Sequence, residues 1–510
     1  MNKNIIYSLI VGFSCSLSAC SDWVDIKTKG KLIPEETVNY RYLMNNTENF
    51  RYTLSYQEVA SDDIYVSDET QQAAIYETDK FIPVYTWADE IYSQSENDGE
   101  MNKVYQIIYN MNVVIDEVMD SKNGTQAEKL AIRAEALVHR ADAYLALVNV
   151  YGKPYNEATA VTDQGVPLLT TPRVEGSLPR ASVAKVYEQI VKDLNAAEEN
   201  FLALSADRQG KVGYRINLPA VQLLHARVCL YMEDMEGAAK YAKKVIDNWG
   251  YELYDLTSFK KDTTIVVGKN ASYPSYVSLD NPETIWVYGN AADFNGIIGA
   301  QDKMENGTTY AYFVNASRDL ITCYEDEEDL RKTLYLVEEL RGPLGAKPEE
   351  LKFAEGHYLP WSKCVMQYNN KVKSGTEYGM SFRLSEAYLI LAEAVYATDE
   401  VLALKMINEL REKRYAEGAD YEVHYSGESL LNFIREERRR ELCFEGQRWF
   451  DLRRYGMPSF EHRWVEYGDN LGSYVIEEKD AAYTLPIPTE VINRNSALNQ
   501  NKLTTTKTLQ

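Results

Sequence analysis

Histidine is scarce in this sequence; His139, His225, His357, His424 and His462 are the only five. None stands in an H-E-x-x-H pattern, no G-x-S-x-G elbow occurs, and the glycines form neither a P-loop nor a dinucleotide fingerprint. Zinc-hydrolase, serine-hydrolase and nucleotide-dependent chemistries therefore have no signature here. Cysteine is almost as rare, with six residues, no C-x-x-C pair and no histidine at metal spacing, so no metal site is expected. Basic charge is in deficit: 54 lysines and arginines face 77 acids, for a net charge of −23. A field of that sign repels nucleic acid and anionic lipid. With so many acids, glycosidase-like carboxylate pairs can be drawn anywhere and carry no weight. Asp62-Asp63 and the run from Glu325 to Asp329 read as solvated faces or loop caps. These absences favour a binding protein over an enzyme, with no cofactor and no nucleic-acid partner.

Long apolar runs are also missing, since no stretch approaches the eighteen consecutive apolar residues of a membrane-spanning helix. The apolar stretch from Ile5 to Phe13 is too short to span and follows Lys3, as in a secretory signal peptide. Leu17-Ser18-Ala19-Cys20 resembles the lipobox of bacterial lipoproteins. That resemblance implies cleavage before Cys20, acylation of its thiol and a lipid-tethered, otherwise water-soluble body. Of the remaining cysteines, Cys229 and Cys443 fall in helical patterns and read as buried small hydrophobes. Cys323 and Cys364 are available for a disulfide in an exported protein, although spacing alone does not pair them.

Tyrosine is the residue in excess, with 39 against 13 phenylalanines. Each packs a flat ring and keeps a polar tip that needs a partner. Some belong at helix edges; others, if exposed, suit stacking on sugar rings. Apolar residues recur at three- and four-residue steps over 100–119, 126–151, 182–202, 218–248 (broken at Glu233-Asp234), 380–395 and 399–414, which predicts helices, with Ser182 as an N-cap. A last long helix starts near Ser429. The 218–248 and 380–414 pairs look like tetratricopeptide hairpins, with Ala136, Ala226 and Ala392 at matching close-packing places but at unequal intervals. The expected fold is mostly α, a tetratricopeptide-like hairpin scaffold with large mixed insertions that form a capping subdomain. The expected division is a signal peptide over 1–19, an anchored arm and first helix over 20–49, and a hairpin scaffold over 50–250 that contains an irregular insertion at 50–99. A mixed subdomain follows over 251–379, with β-like runs at Ile265-Val266-Val267 and 284–288. C-terminal hairpins and a closing motif occupy 380–510.

The densest positive charge lies at 438–454, RRRELCFEGQRWFDLRR, with six arginines in seventeen residues. Acids stand among them at helical spacing: Glu436 and Glu437 before Arg440, Glu441 after Arg438, Asp451 before Arg454. Phe444, Trp449 and Phe450 interrupt the run and demand a protein surface to pack on. The segment thus reads as internal ion pairing that locks the last helix onto the hairpins.

This stretch also closely resembles the C-terminal signature of the SusD/RagB family of nutrient-binding outer-membrane lipoproteins. SDWVDIKTKGKLIPEETVNYRYLMNN after Cys20, RAEALVHRADAYLALVNVYGKPY, RLSEAYLILAEAVY with INELREKR, and LPIPTEVINRNSALNQN agree with that family in the expected order. The resemblance implies a surface lipoprotein of the outer membrane that captures oligosaccharide for a SusC-like TonB-dependent transporter. Ligand contacts in this family vary with the ligand and lie outside these motifs, so none is carried over. From composition, the candidates are aromatics of the two irregular regions: Trp87, Trp286, Tyr288, Tyr310, Tyr312 and Trp361. Trp286 and Tyr288, two apart in a β-like run, share one face, as do Tyr310 and Tyr312 if extended. A peptide or other non-sugar nutrient, or a tetratricopeptide-type protein partner, stays open as an alternative ligand.

Overall fold

The computed structural model describes residues 34–46, 56–65, 81–91, 99–172, 178–210, 212–259, 276–288, 315–324, 326–341, 352–359, 380–466 and 469–510. Its long helices are α1 (Thr37–Asn45), α2 (Gly99–Glu117), α3 (Gln126–Tyr151), α4 (Val183–Leu202), α5 (Leu218–Tyr231), α6 (Met235–Asn248), α7 (Leu384–Val395), α8 (Glu400–Glu412), α9 (Gly427–Leu442) and the shorter α10 (Arg448–Arg454). Successive helices pack as hairpins, α2 on α3, α3 on α4, α5 on α6 and α7 on α8, while α6 and α9 both lie against α7.

Local chemistry sets these boundaries. Thr125 and Glu128 close a capping box at the start of α3, with Glu128 N–H donating to Thr125 Oγ1 at 3.2 Å and Thr125 N–H to Glu128 Oε2 at 2.7 Å. Ala134, Ala136, Ala141 and Ala143 are all buried on α3, where their small side chains let neighbouring helices approach closely. Ser182 caps α4 as expected, and Asn217 caps α5. The α5–α6 turn passes through Glu233 in the left-handed region and requires Gly237, where a Cβ would meet Cys229 Sγ at 2.8 Å. Cys229 and Cys443 are buried, as read.

The described strands form four two-stranded antiparallel sheets. β1 (Ile64–Tyr65) pairs with β3 (Asn315–Ala316), and β2 (Thr284–Tyr288) with β6 (Met380–Arg383). β4 (Val337–Arg341) pairs with β5 (Lys352–Leu359), and β7 (Phe460–Glu466) with β8 (Asp469–Ile476). The helix expected from residue 380 starts only at Leu384, because 380–383 satisfy their backbone groups against β2. The expected β-like run at Ile265-Val266-Val267 lies outside the described residues.

Among the described residues, part of the tyrosine excess is interior. Tyr40, Tyr85, Tyr144, Tyr187 and Tyr324 are buried, and each hydroxyl finds a partner. Tyr144, for example, donates to the Leu169 carbonyl at 2.8 Å, and Tyr324 to the Arg440 carbonyl at 2.6 Å. A ring that fills core volume and also ties down a loop carbonyl does what phenylalanine cannot.

Candidate functional site

The arginine-rich segment folds as two helices. Between α9 and α10 the chain turns through Phe444 and Gly446, at φ 58° and 74°. The turn brings Gly446 N–H onto Glu58 Oε1 of the one-turn helix Tyr56–Val59. Five of the segment's six arginines are paired internally. Arg448 makes two hydrogen bonds to Asp62, Arg439 reaches Asp63 at 2.8 Å, Arg440 reaches Glu437 at 3.0 Å, and Arg454 binds both Glu393 and Asp451. Arg438 departs from the expected spacing and pairs with Asp451 at 2.9 Å, not with Glu441.

Glu441 is taken by more distant partners. It receives Arg331 at 3.1 Å, Arg383 at 2.5 Å and Arg414 at 2.9 Å, all within the core. Burial alone would raise the Glu441 pKa, but the three guanidiniums outweigh it and hold the carboxyl well below the usual range. Glu283, just ahead of β2, binds Arg414 at 2.5 Å, and Asp329 binds Arg331 at 2.7 Å. Arg383, at the end of β6, also grips Glu445 at 2.7 Å. Residues on both sides of 289–314 and of 360–379 are thereby fixed to the same stretch of α9.

The acidic doublet is a correction. Asp63 is fully buried and Asp62 nearly so; they are ion-pair partners inside the fold, not a solvated face. Asp329 is likewise buried, whereas Asp326 caps the Glu328 N–H as a loop residue should. The signal for distant partners was in the segment itself: only Glu441, Glu445 and Asp451 stand among the six arginines of 438–454, so other carboxylates had to arrive from elsewhere. Burial raises Asp63, and it raises Glu58 to about 8, with the Asp63 charge adding to the effect. Asp62 is held low, because the charges of Arg439 and Arg448 overcome its burial.

Trp87 and Trp286 are not presented outward. Trp87 is 2 % exposed, sits at φ 48°, and donates its indole N–H to the Ala60 carbonyl at 3.1 Å. His462 stacks on it at 4.2 Å and stacks also on Tyr85 at 4.3 Å, while its ring nitrogens face the Tyr85 and Ser61 carbonyls. Burial pushes this imidazole down to about 4, against the two facing carbonyls, which raise it. Left-handed backbone at so bulky a residue is strained, and the stack over-determines it. Trp87 still contributes to a shallow cleft with Ile91, Pro486, Leu503, Asp89 and Lys502.

Trp286 is 1 % exposed. It shares a face with Tyr288, as strand alternation requires, and their rings stack at 4.5 Å. That face turns inward, against Phe382 and His139, because β2 is covered by the helices as well as paired with β6. Tyr288 is half-buried at the strand end. Tyr310, Tyr312 and Trp361 lie outside the described residues, as does Cys20. Cys323 carries a free thiol that donates to the Asp319 carbonyl at 3.2 Å, so the disulfide considered above is not formed; Cys364 lies outside the described residues. Among the described residues no group of three histidine, cysteine or acidic side chains is placed to hold a metal ion.

Comparison with known proteins agrees with this architecture. The SusD family pattern matches residues 340–503, and the pattern described as starch-binding associating with outer membrane matches residues 22–230. A SusD-like protein of Formosa agariphila is 26% identical over 426 residues, covering 78% of this chain and 79% of its own. A second from the same organism is 24% identical over 389 residues, covering 69% and 71%. The fold is similar to the crystal structure of a SusD superfamily protein from Bacteroides thetaiotaomicron, with a TM-score of 0.68 at 22% identity over 92% of this chain and 100% of that one. It is also similar to a laminarin-binding SusD-like protein, with a TM-score of 0.61 at 20% identity over 92% and 99%. A helical scaffold bolted together by the arginine-rich segment, with family patterns matching near both ends in chain order, makes this chain a member of the SusD/RagB family, whose matching pattern is described as associating with the outer membrane.

Proposed function

We propose that this chain is a lipid-anchored, cell-surface glycan-binding protein that captures oligosaccharide and delivers it to a SusC-like TonB-dependent transporter. The observation that carries this reading is the family match near both ends of the chain, supported by likeness in fold to a laminarin-binding protein. The ligand contacts we propose are Tyr310, Tyr312 and Trp361, with Tyr288 and Trp87 as further candidates. Described residues that flank these segments in the chain are held to α9, Arg331 through Glu437 and Arg383 through Glu441. Ordered termini lower the entropy lost when a ligand is gripped. Capture then rests on flat rings stacking on sugars, with neighbouring polar groups bonding the hydroxyls.

Calorimetry of the mature protein against a panel of oligosaccharides and a peptide mixture tests this. Saturable binding of at least one glycan is expected. Binding of peptides alone would replace the glycan reading with the peptide one. Gentle-detergent pull-down from native membranes should recover one dominant large outer-membrane protein, and recovery of none would remove the transporter from the proposal.

A further inference from the structure

Among the described residues, only Tyr42, Tyr214 and Tyr425 are tyrosines left exposed. Two of these three meet at one place, although they stand far apart in the chain. Tyr42 of α1 is 63 % exposed, and Tyr214, just ahead of α5, is 53 % exposed.

Direct contacts join them. Arg215, next to Tyr214, donates from Nη2 to Asn45 Oδ1 at the end of α1. Asn45 stands three residues after Tyr42, so the two side chains share one face of that helix. The Arg215 guanidinium lies over the Tyr214 ring, 5.2 Å from its centroid. Its Nη1 reaches Glu135 of α3 at 3.5 Å, and Arg41 of α1 grips the same carboxylate at 2.8 Å. The backbone around Tyr214 is pinned as well. The Gly213 carbonyl accepts the Val287 N–H at 3.2 Å, the Tyr214 carbonyl accepts the Trp286 indole N–H at 3.2 Å, and Asn217 Nδ2 donates to the Ile285 carbonyl at 2.8 Å. Both rings are thus carried on fixed elements while staying open to solvent.

We propose that Tyr42, Asn45 and Tyr214 form a second saccharide-binding surface, on the helical scaffold, which takes sugar units of a polysaccharide already held at the primary site; this rests on the glycan reading above. The arrangement of the groups decides the ligand class. Protein interfaces gather apolar groups at the centre and polar ones at the rim. Here the order is reversed, since Asn45 and Arg215 stand between two aromatic rings. A sugar chain offers C–H faces to the rings and hydroxyls to what lies between them. With its Oδ1 taken by Arg215, the Asn45 amide nitrogen is left to donate to such a hydroxyl. Arg215 acts as a positioning residue for Asn45 and Tyr214. An open surface of two rings holds a lone sugar weakly. Joined through the polymer to a primary site, it works at high effective concentration and adds retention without enclosing its ligand.

The test uses the intact mature protein in gels cast with starch, laminarin or xylan, beside calorimetry with short oligosaccharides of each. For a polymer that retards wild type, the Tyr42→Ala, Tyr214→Ala double variant should bind about tenfold more weakly, by analogy with the loss of stacked bases. Its Tm and its affinity for the short oligosaccharide should match wild type. The Tyr42→Phe, Tyr214→Phe variant, which keeps both rings, should bind the polymer nearly as wild type does. Unchanged retention in the alanine variant overturns this proposal alone, and absence of binding by wild type to every polymer and oligosaccharide overturns it together with the glycan reading. An equal loss for short oligosaccharide and polymer also overturns it, by placing the two tyrosines in the primary site. Intact retention with loss of the co-purifying membrane protein overturns it in favour of a protein-docking face.

Discussion

Arg448 and Asp62 lie 386 residues apart in the chain and meet through two parallel hydrogen bonds, each of 2.7 Å. Both side chains are largely withdrawn from solvent, at 13% and 12% exposure. The fork of the guanidinium matches the carboxylate, so position and charge are fixed together. Arg448→Ala should lower unfolding stability by about 3–5 kcal/mol, because it leaves Asp62 charged beside Asp63 without its partner. Denaturant unfolding checks the value, and the Arg448→Ala, Asp62→Asn double variant should fall short of the sum of the singles. The Asp62 carboxyl is depressed in the folded state, so its contribution is complete above about pH 4 and is lost only as pH falls towards the folded value. An unchanged Tm with lost ligand binding would instead make Arg448 an anion contact.

Glu58 works in the opposite direction. Its folded pKa is raised to about 8, so the unfolded chain ionises first, and stability drains away as pH rises from the ordinary carboxylate range through 8. Glu58→Gln keeps an acceptor for the Gly446 N–H and removes the ionisation. The variant should match wild type near pH 4 and be more stable at pH 8 by a few kcal/mol at most. Thermal melts at the two pH values measure this, and equal differences at both would show that Glu58 does not ionise abnormally.

Two kinds of aromatic should separate on substitution. Trp286→Ala opens a cavity under β2 and should destabilise by about 3–5 kcal/mol. Alanine at Tyr310, Tyr312 or Trp361 should leave the Tm near wild type, with at least one variant losing about 1–3 kcal/mol of glycan affinity, the worth of one stacking ring by analogy with base stacking. Calorimetry alongside melting distinguishes them. Full affinity in all three folded variants would move the binding site elsewhere.

The anchor is tested at Cys20. Cys20→Ala should abolish lipidation and leave precursor or release soluble protein. Mass spectrometry of the mature N-terminus from native membranes reads this directly, and an unmodified Cys20 there ends the lipoprotein reading.

The helices were legible because their signals are local. The Thr125–Glu128 box marks the start of 126–151, and alanines every few residues mark its packed face. Internal pairing of the arginines was legible from their acidic and aromatic neighbours, but the partner of Arg438 was not, since i+3 spacing permits Glu441 while tertiary placement supplies Asp451. Asp62-Asp63 looked like a surface because nothing within ten residues neutralises it; its counter-ions come from the far end of the chain. Strand alternation told that Trp286 and Tyr288 share a side, and only the cover of helices told that the side is the inner one.

During synthesis Arg331, Arg383 and Arg414 all precede Glu441, the carboxylate that the three share in the core. A chain that has emerged only as far as residue 430 therefore holds three guanidiniums short of a negative charge, and water is a better place for them than the interior. The segments that carry these arginines cannot settle until α9 arrives to gather them. A premature stop at or before residue 441 thus removes more than a tail. It withdraws the counter-charge on which the middle of the protein closes, so an incomplete copy stays open to proteolysis well upstream of its own end.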